Sequence, residues 1–126
     1  TFLIDRTLLE EAEVYRITRG RREWTTRAAI VEGGIREAIG MALGSNSLRF
    51  ILCGGSNPAA AERERANNAA STLCLKPGKV CVYGENTETN AALEQAGIEL
   101  VPISIFELTS GFGGPDCLCL PLARSI

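Results

Sequence analysis

Hydrophobic positions along the chain follow two spacings, one typical of strands and one typical of helices. Short runs rich in β-branched and aromatic residues predict strands, and these runs cover residues 2–5, 14–18, 48–53, 71–75, 79–83 and 98–103. Apolar residues three and four positions apart predict a helix over 34–43, which Gly44 is well suited to end.

Residues that commonly begin helices predict two more helices and a single helical turn. Asn57-Pro58 is typical of a helix start and predicts a helix to about Arg65. Asn86 is placed to cap a second helix over roughly 88–96. The segment Ser104–Glu107 has the pattern of a capping box and predicts one helical turn.

The order strand, strand, helix, strand therefore occurs twice. It predicts an α/β protein made of about two ββαβ units, 1–55 and 56–126, within a single domain. A chain of 126 residues suits one domain. The repetition rests on the pattern alone, since the two segments share no evident sequence identity.

Composition and charge exclude several classes of protein. With 45% hydrophobic and 22% charged residues, the chain has the balance of a folded globular protein. A net charge of −2 gives no sign of the basic surface that binds nucleic acid. No apolar run reaches the length of a membrane helix. The basic cluster is interpreted as a solvated turn, with a phosphate or partner patch as the alternative; it comprises Arg16, Arg19, Arg21, Arg22 and Arg27.

Two further features of the sequence concern the cellular location and the extent of the chain. The chain has five cysteines, an odd number without Cys-x-x-Cys spacing, and no visible signal peptide, which together predict a reduced, cytoplasmic protein. It contains no histidine and begins with Thr1, so we expect a fragment, a processed product or part of a longer polypeptide.

The C-terminal segment carries the candidate chemistry. Leucines and cysteines alternate from Cys117 to Leu122, which predicts a strand with Cys117 at its mouth and Cys119 one pleat deeper on the same face. The glycines Gly113 and Gly114 precede Cys117 and leave room for a ligand to approach its thiol. A cysteine in this position is a candidate nucleophile if a neighbouring charge or base favours its thiolate.

Buried cysteines are, however, most often small hydrophobic core residues. That interpretation is the more common one for an isolated Cys117, and it is our expectation for Cys53, Cys74, Cys81 and Cys119. A metal site formed by Cys117 and Cys119 lacks the second ligand pair that such sites require.

Several motifs, taken together and in order, resemble the C-terminal part of the arginine deiminase family. The most specific is the ending Gly113-Gly114-Pro115-x-Cys117-x-x-x-Pro121-Leu122. The similarity is strong over about 50–124 and faint before 47. The remaining motifs are Cys53-Gly54-Gly55, Arg63-Glu64, Asn68, Lys76-Pro77-Gly78, Asn86, Thr89-Asn90 and Ala96-Gly97-Ile98.

This resemblance implies a fold, a reaction and a nucleophile. The fold is an α/β propeller, called a pentein, of ββαβ units around a central active site. The reaction converts arginine and water into citrulline and ammonia through a covalent amidino-cysteine, and Cys117 matches the nucleophile. The resemblance implies a guanidino substrate bound near Phe112, Gly113 and Gly114, without a cofactor or a metal. We also expect a homo-oligomer or a complex with a missing N-terminal portion.

The chain also departs from the family pattern. Phe112, Asp116 and Glu85 stand where the family commonly has basic residues, and the family's histidine and guanidinium-binding acids lie before the matched region. Two alternatives to an active hydrolase therefore stay open. One is a non-catalytic relative with a structural or regulatory role, and the other is a small thiol-redox or metal-binding module.

Overall fold

Helices and strands are mixed along the chain in the computed structural model, which describes residues 1–22, 24–104 and 113–123. This mixed content confirms the predicted α/β class. The elements are β1 (Phe2–Ile4), α1 (Arg6–Glu11), β2 (Tyr15–Arg19), β3 (Thr26–Ile30), α2 (Gly34–Leu43), β4 (Phe50–Leu52), α3 (Pro58–Ala66), β5 (Leu73–Lys76), β6 (Lys79–Tyr83), α4 (Thr87–Gln95), β7 (Glu99–Ile103) and a 3₁₀ helix (Pro115–Leu118).

These elements belong to two compact units. Unit 1 comprises residues 1–2 and 6–50, and unit 2 comprises residues 3–5 and 51–126. The strands form the pairs β1-β4 and β2-β3 and the three-stranded sheet β5-β6-β7, and within the described ranges no sheet closes into a barrel. The predicted division into two ββαβ units at residue 55 remains a prediction.

Unit 1 is built on the antiparallel hairpin β2-β3, in which Tyr15 pairs with Ile30 and Arg19 with Thr26. Every residue of both strands is exposed, and no described residue of the unit is buried. The predicted helix α2 is confirmed with the expected bounds, and Gly44 ends it with a φ of +60°.

The sequence did not predict α1 or β3. In the structure, α1 lies between the strands predicted at 2–5 and 14–18, and β3 follows them before α2. Helix α1 has only six residues, too few for a helical period to show. Strand β3 reads Thr-Arg-Ala-Ala-Ile, in which alanine and arginine weaken the β-strand signal.

Unit 2 contains the core. Its sheet joins β5 and β6 antiparallel and β6 and β7 parallel, with α4 connecting the two parallel strands. The buried core residues are Ile51, Val82 and Leu93, and partly buried apolar side chains from β1, β6, α4 and β7 pack around them. In this unit the helices and strands predicted as far as residue 103 are confirmed to within about two residues.

The two long helices of unit 2 begin in different ways. Asn57 caps α3 as predicted, because its side-chain oxygen accepts the N–H groups of Ala59 (3.1 Å) and Ala60 (3.3 Å). Asn86 occupies the cap position of α4, but its side chain makes no capping bond. The carboxylate of Glu64 accepts the free N–H groups of that helix instead.

The strand predicted over Cys117–Leu122 is wrong. Pro115–Leu118 form a 3₁₀ helix, in which the Cys117 N–H donates to the Gly114 carbonyl at 3.0 Å. Pro115 favours this turn because its fixed φ suits the first helical position. The alternating leucines are solvent-exposed, Leu120 at 82% and Leu122 at 92%, so they form no core face.

Two remaining predictions concern other parts of the chain. The helical turn predicted at Ser104–Glu107 falls mostly on residues 105–107, outside the described residues. Within the described part, no helix is both long enough and apolar enough to cross a membrane.

Candidate active site

Residues from three separate segments of unit 2 meet at the loop that precedes the 3₁₀ helix. Tyr83, the last residue of β6, donates its hydroxyl to the Gly113 carbonyl at 2.8 Å. Its side chain is almost completely buried. Burial, and to a smaller extent the nearby Cys117 thiol, raises the pKa of the Tyr83 phenol. Tyr83 therefore remains a neutral donor that anchors the loop at physiological pH.

Position 114 requires a glycine for a steric reason. Its φ of −93° is available to any residue. A Cβ atom there would overlap the Ser71 side chain and lie only 2.5 Å from the Ser71 carbonyl oxygen. The glycine thus allows the loop to pack directly against Ser71, in the segment before β5. Its predicted role in substrate binding remains a prediction.

Cys117 lies on the exposed side of the 3₁₀ helix. Its Sγ is 3.6 Å from the Ser71 Oγ, within range of a hydrogen bond to sulfur. A Cβ atom at Gly113 would lie 3.4 Å from the Cys117 Cβ, so this glycine borders the thiol. The structure therefore brings Gly113, Gly114 and Cys117 together, whereas Phe112 is outside the described residues.

The other cysteines divide into two groups. All five cysteines are free. Cys53 and Cys81 are buried as expected, and burial together with the carboxylates of Asp5 and Glu64 raises the pKa of Cys53 to about 12. The expectation that Cys74 and Cys119 are core residues is wrong, because both are exposed. For Cys119 the cause is the 3₁₀ helix, which removes the pleat that would have buried it.

Two of the residues that depart from the family pattern are described. Glu85 accepts a hydrogen bond from the Ser104 hydroxyl at 3.0 Å, and Asp116 is exposed on the 3₁₀ helix. In the described part of the chain, no group of three or more histidine, cysteine, aspartate or glutamate side chains is arranged to hold a metal ion.

Sequence reasoning missed Ser71 and Tyr83 as parts of this site. Tyr83 was counted only as a strand residue, and Ser71 as the first residue of a predicted strand. Neither belongs to a motif with its own chemistry. Their contacts span 46 residues for Ser71 and Cys117 and 30 for Tyr83 and Gly113, so no local pattern reports them.

These features define an α/β protein that presents a free, exposed thiol beside a glycine loop. The family model described as "Arginine deiminase" matches residues 1–124, which extends the similarity through the first half of the chain. Together with the relatives below, this match shows that the chain belongs to the arginine deiminase family.

Curated relatives give the same result. The chain is 32% identical over 123 residues to an arginine deiminase of Treponema denticola, a match that covers 98% of the chain and 30% of the relative. It is 38% identical to that of Streptococcus equi subsp. equi and 39% identical to that of Streptococcus pyogenes, in each case over 98% of the chain and 29% of the relative. The chain thus spans about 30% of the length of these relatives.

Proposed function

We propose that this chain supplies the nucleophile of an arginine deiminase-type hydrolase, with Cys117 as the catalytic cysteine. The observation that carries the proposal is the exposed Cys117 thiol beside Gly113, on a loop held in place by Tyr83 and Ser71. Membership of the arginine deiminase family supplies the reaction class, a hydrolysis at a C–N bond of a guanidino group.

The proposed chemistry has two stages. The Cys117 thiolate attacks the guanidinium carbon, the bond from that carbon to a terminal nitrogen breaks, and protonated nitrogen leaves as ammonia. Water then attacks the resulting amidino-thioether, the carbon–sulfur bond breaks, and citrulline leaves as the thiolate is regenerated. The family resemblance implies that a histidine activates this water. These 126 residues contain no histidine, so we propose that it comes from another part of the protein.

The same proposal includes the fold of the whole protein. In unit 2, the hairpin β5-β6, helix α4 and the parallel strand β7 have the order and strand directions of one ββαβ unit. We propose that this unit is part of a pentein propeller that is completed by polypeptide beyond these residues. The free cysteines support our further proposal of a reducing, cytoplasmic setting.

A chimera tests the proposed function. The chain replaces the 125 matched residues of the Streptococcus pyogenes relative, and citrulline release from arginine is measured. We expect activity that Cys117→Ser abolishes and that Cys119→Ser, a matched control two residues away, leaves intact. The isolated chain should release no citrulline.

The same chimera decides the alternative of a non-catalytic relative, which the acidic residues at positions 85 and 116 favour. A folded chimera without activity would support that alternative. If the chimera is active, Phe112→Arg should lower KM for arginine by about tenfold relative to a guanidine that lacks the carboxylate, because arginine can clamp that group. An equal change for both substrates would show that residue 112 does not face the carboxylate.

A further inference from the structure

The position of the Ser71 hydroxyl is fixed from two sides. The Ser71 N–H donates to the Asn68 carbonyl at 3.0 Å, within a turn that continues from the end of α3. Asn68 has a φ of +54°, in the left-handed region, which ends α3 directly before this turn. On the other side, Gly114 packs on the backbone and the side chain of Ser71. Ser71 is thus held next to Cys117 by contacts that do not involve the cysteine itself.

Of the groups around the Cys117 thiol, the Ser71 hydroxyl is the one placed to form a hydrogen bond with it. The Tyr83 hydroxyl is 2.8 Å from the Gly113 carbonyl and donates there. The other ionisable groups on the 3₁₀ helix and on the strands that pack against it, β5 and β6, are Asp116, Cys74, Lys76, Lys79 and Cys81, with Cys119 directly after the helix. Among the hydrogen bonds of the described residues, the one at Cys117 Sγ joins it to Ser71 Oγ at 3.6 Å, and either group can donate.

We propose that Ser71 is a positioning residue for Cys117, which orients the sulfur and donates its hydroxyl to the thiolate. This inference rests on the proposed function, because it assigns Ser71 a role toward the nucleophile of that reaction. A hydrogen bond with a fixed neighbour restricts the orientations of the sulfur, so the thiol should react faster than an unrestrained one. It also holds the sulfur on the side of the 3₁₀ helix that faces Ser71.

Alkylation of the intact chain by iodoacetamide tests this role without any substrate. Rates at each cysteine are mapped by mass spectrometry across a range of pH, for the natural chain, Ser71→Ala and Ser71→Thr. We expect Ser71→Ala to slow Cys117 by about 2- to 10-fold near neutral pH, which corresponds to the loss of one ordinary hydrogen bond.

Two controls separate positioning from a general loosening of the loop. Cys119, two residues away and exposed, should keep its rate in every variant. Ser71→Thr keeps the hydroxyl and should largely restore the natural rate at Cys117. If Ser71→Ala folds poorly, Ser71→Gly also removes the hydroxyl and should show the slowing expected for Ser71→Ala.

Several outcomes would overturn the inference. An unchanged rate at Cys117 in Ser71→Ala or Ser71→Gly would show that the hydroxyl does not act on the thiol. Equal slowing of Cys117 and Cys119, or slowing of Cys117 that Ser71→Thr does not relieve, would indicate only a structural effect. An inactive chimera together with the expected alkylation result would refute the proposed function but leave the link between Ser71 and Cys117 intact.

Discussion

The Glu64 carboxylate of α3 accepts two hydrogen bonds from Thr89 of α4, one from its backbone N–H at 2.9 Å and one from its hydroxyl at 2.6 Å. The Glu88 N–H donates to the other carboxylate oxygen at 2.9 Å, and Arg63 lies 3.3 Å from that oxygen. The Thr89 hydroxyl in turn accepts the Gly54 N–H at 2.8 Å. Although Glu64 is fully buried, its charge is therefore well compensated at the N-terminus of a helix.

Replacing this carboxylate should destabilise unit 2. We expect Glu64→Gln to lower the free energy of unfolding by about 1.5–3 kcal/mol, because the amide loses charge-assisted bonds and turns an N–H group toward other donors. Glu62→Gln, on the exposed side of the same helix, is the matched control and should have little effect. Urea denaturation at pH 7 measures both; equal stability of the two variants would contradict a structural role for Glu64.

The same carboxylate should make stability depend on pH in the acidic range. Burial opposes ionisation of Glu64, but the hydrogen bonds from Thr89, Glu88 and Arg63 outweigh it and lower the pKa below its ordinary value of 4.5. The stabilisation is therefore complete above about pH 4.5 and is lost as the pH falls through the lower value of the folded protein. The difference in unfolding free energy between the natural chain and Glu64→Gln should narrow below this pH, whereas a constant difference would show that its ionisation is not linked to folding.

Two adjacent glycines after β4 should respond differently to alanine. Both have positive φ, +70° at Gly54 and +59° at Gly55. A Cβ at Gly54 would overlap the backbone of Ala61, whereas at Gly55 the nearest atom lies 4.0 Å away. We expect Gly55→Ala to cost roughly 1–2 kcal/mol from backbone strain alone, and Gly54→Ala to cost clearly more because α3 must move. Thermal or urea unfolding compares them directly, and similar losses would show that the contact with Ala61 is easily relieved.

The cysteines should react in two groups. Under native conditions, Cys74, Cys117 and Cys119 are exposed and should be alkylated before the buried Cys53 and Cys81. Cys53 should be among the slowest, because burial raises its pKa to about 12 and keeps the thiol protonated. Time-resolved mass mapping measures the order, and early modification of Cys53 would show that the turn after β4 opens readily.

The hairpin of unit 1 should promote association. Tyr15, Ile17, Ala28 and Ile30 lie on one exposed face of β2-β3, with Ile17 70% exposed. Exposed apolar patches commonly mark contact surfaces, and we expect the chain to form dimers or larger species in light scattering. Ile17→Lys should reduce association, whereas Thr18→Lys, on the opposite face of the same strand, should not. A monomer across a wide concentration range would contradict this prediction.

The sequence predicted unit 2 far better than unit 1, for a physical reason. Strands such as β6 read Lys-Val-Cys-Val-Tyr and end in a buried core, so their pattern reflects the fold. In unit 1 no described residue is buried, and exposed strands carry little hydrophobic pattern. At the C-terminus, the alternating leucines imitated a strand, but Pro115 begins a 3₁₀ helix and the leucines are exposed.

The candidate site was predicted only as far as its local motif reached. Gly113, Gly114 and Cys117 are close in sequence, and their glycine-rich approach to a thiol is a recognisable pattern. Ser71 and Tyr83 reach the loop only through the sheet, so their contribution depends on tertiary structure. The sequence indicated that Gly114 leaves room for a ligand. In the structure, the absence of a side chain at Gly114 leaves room for Ser71.

The separation of these partners along the chain has a kinetic consequence. The bond from Tyr83 to Gly113 closes a loop of 30 residues, and the contact between Ser71 and Cys117 closes one of 46. Loops of this length close late relative to local helices and hairpins. We therefore expect the surroundings of the Cys117 thiol to form only after the sheet of unit 2 has assembled. During refolding, the reactivity of the Cys117 sulfur would then report when the loop has docked on Ser71 and Tyr83.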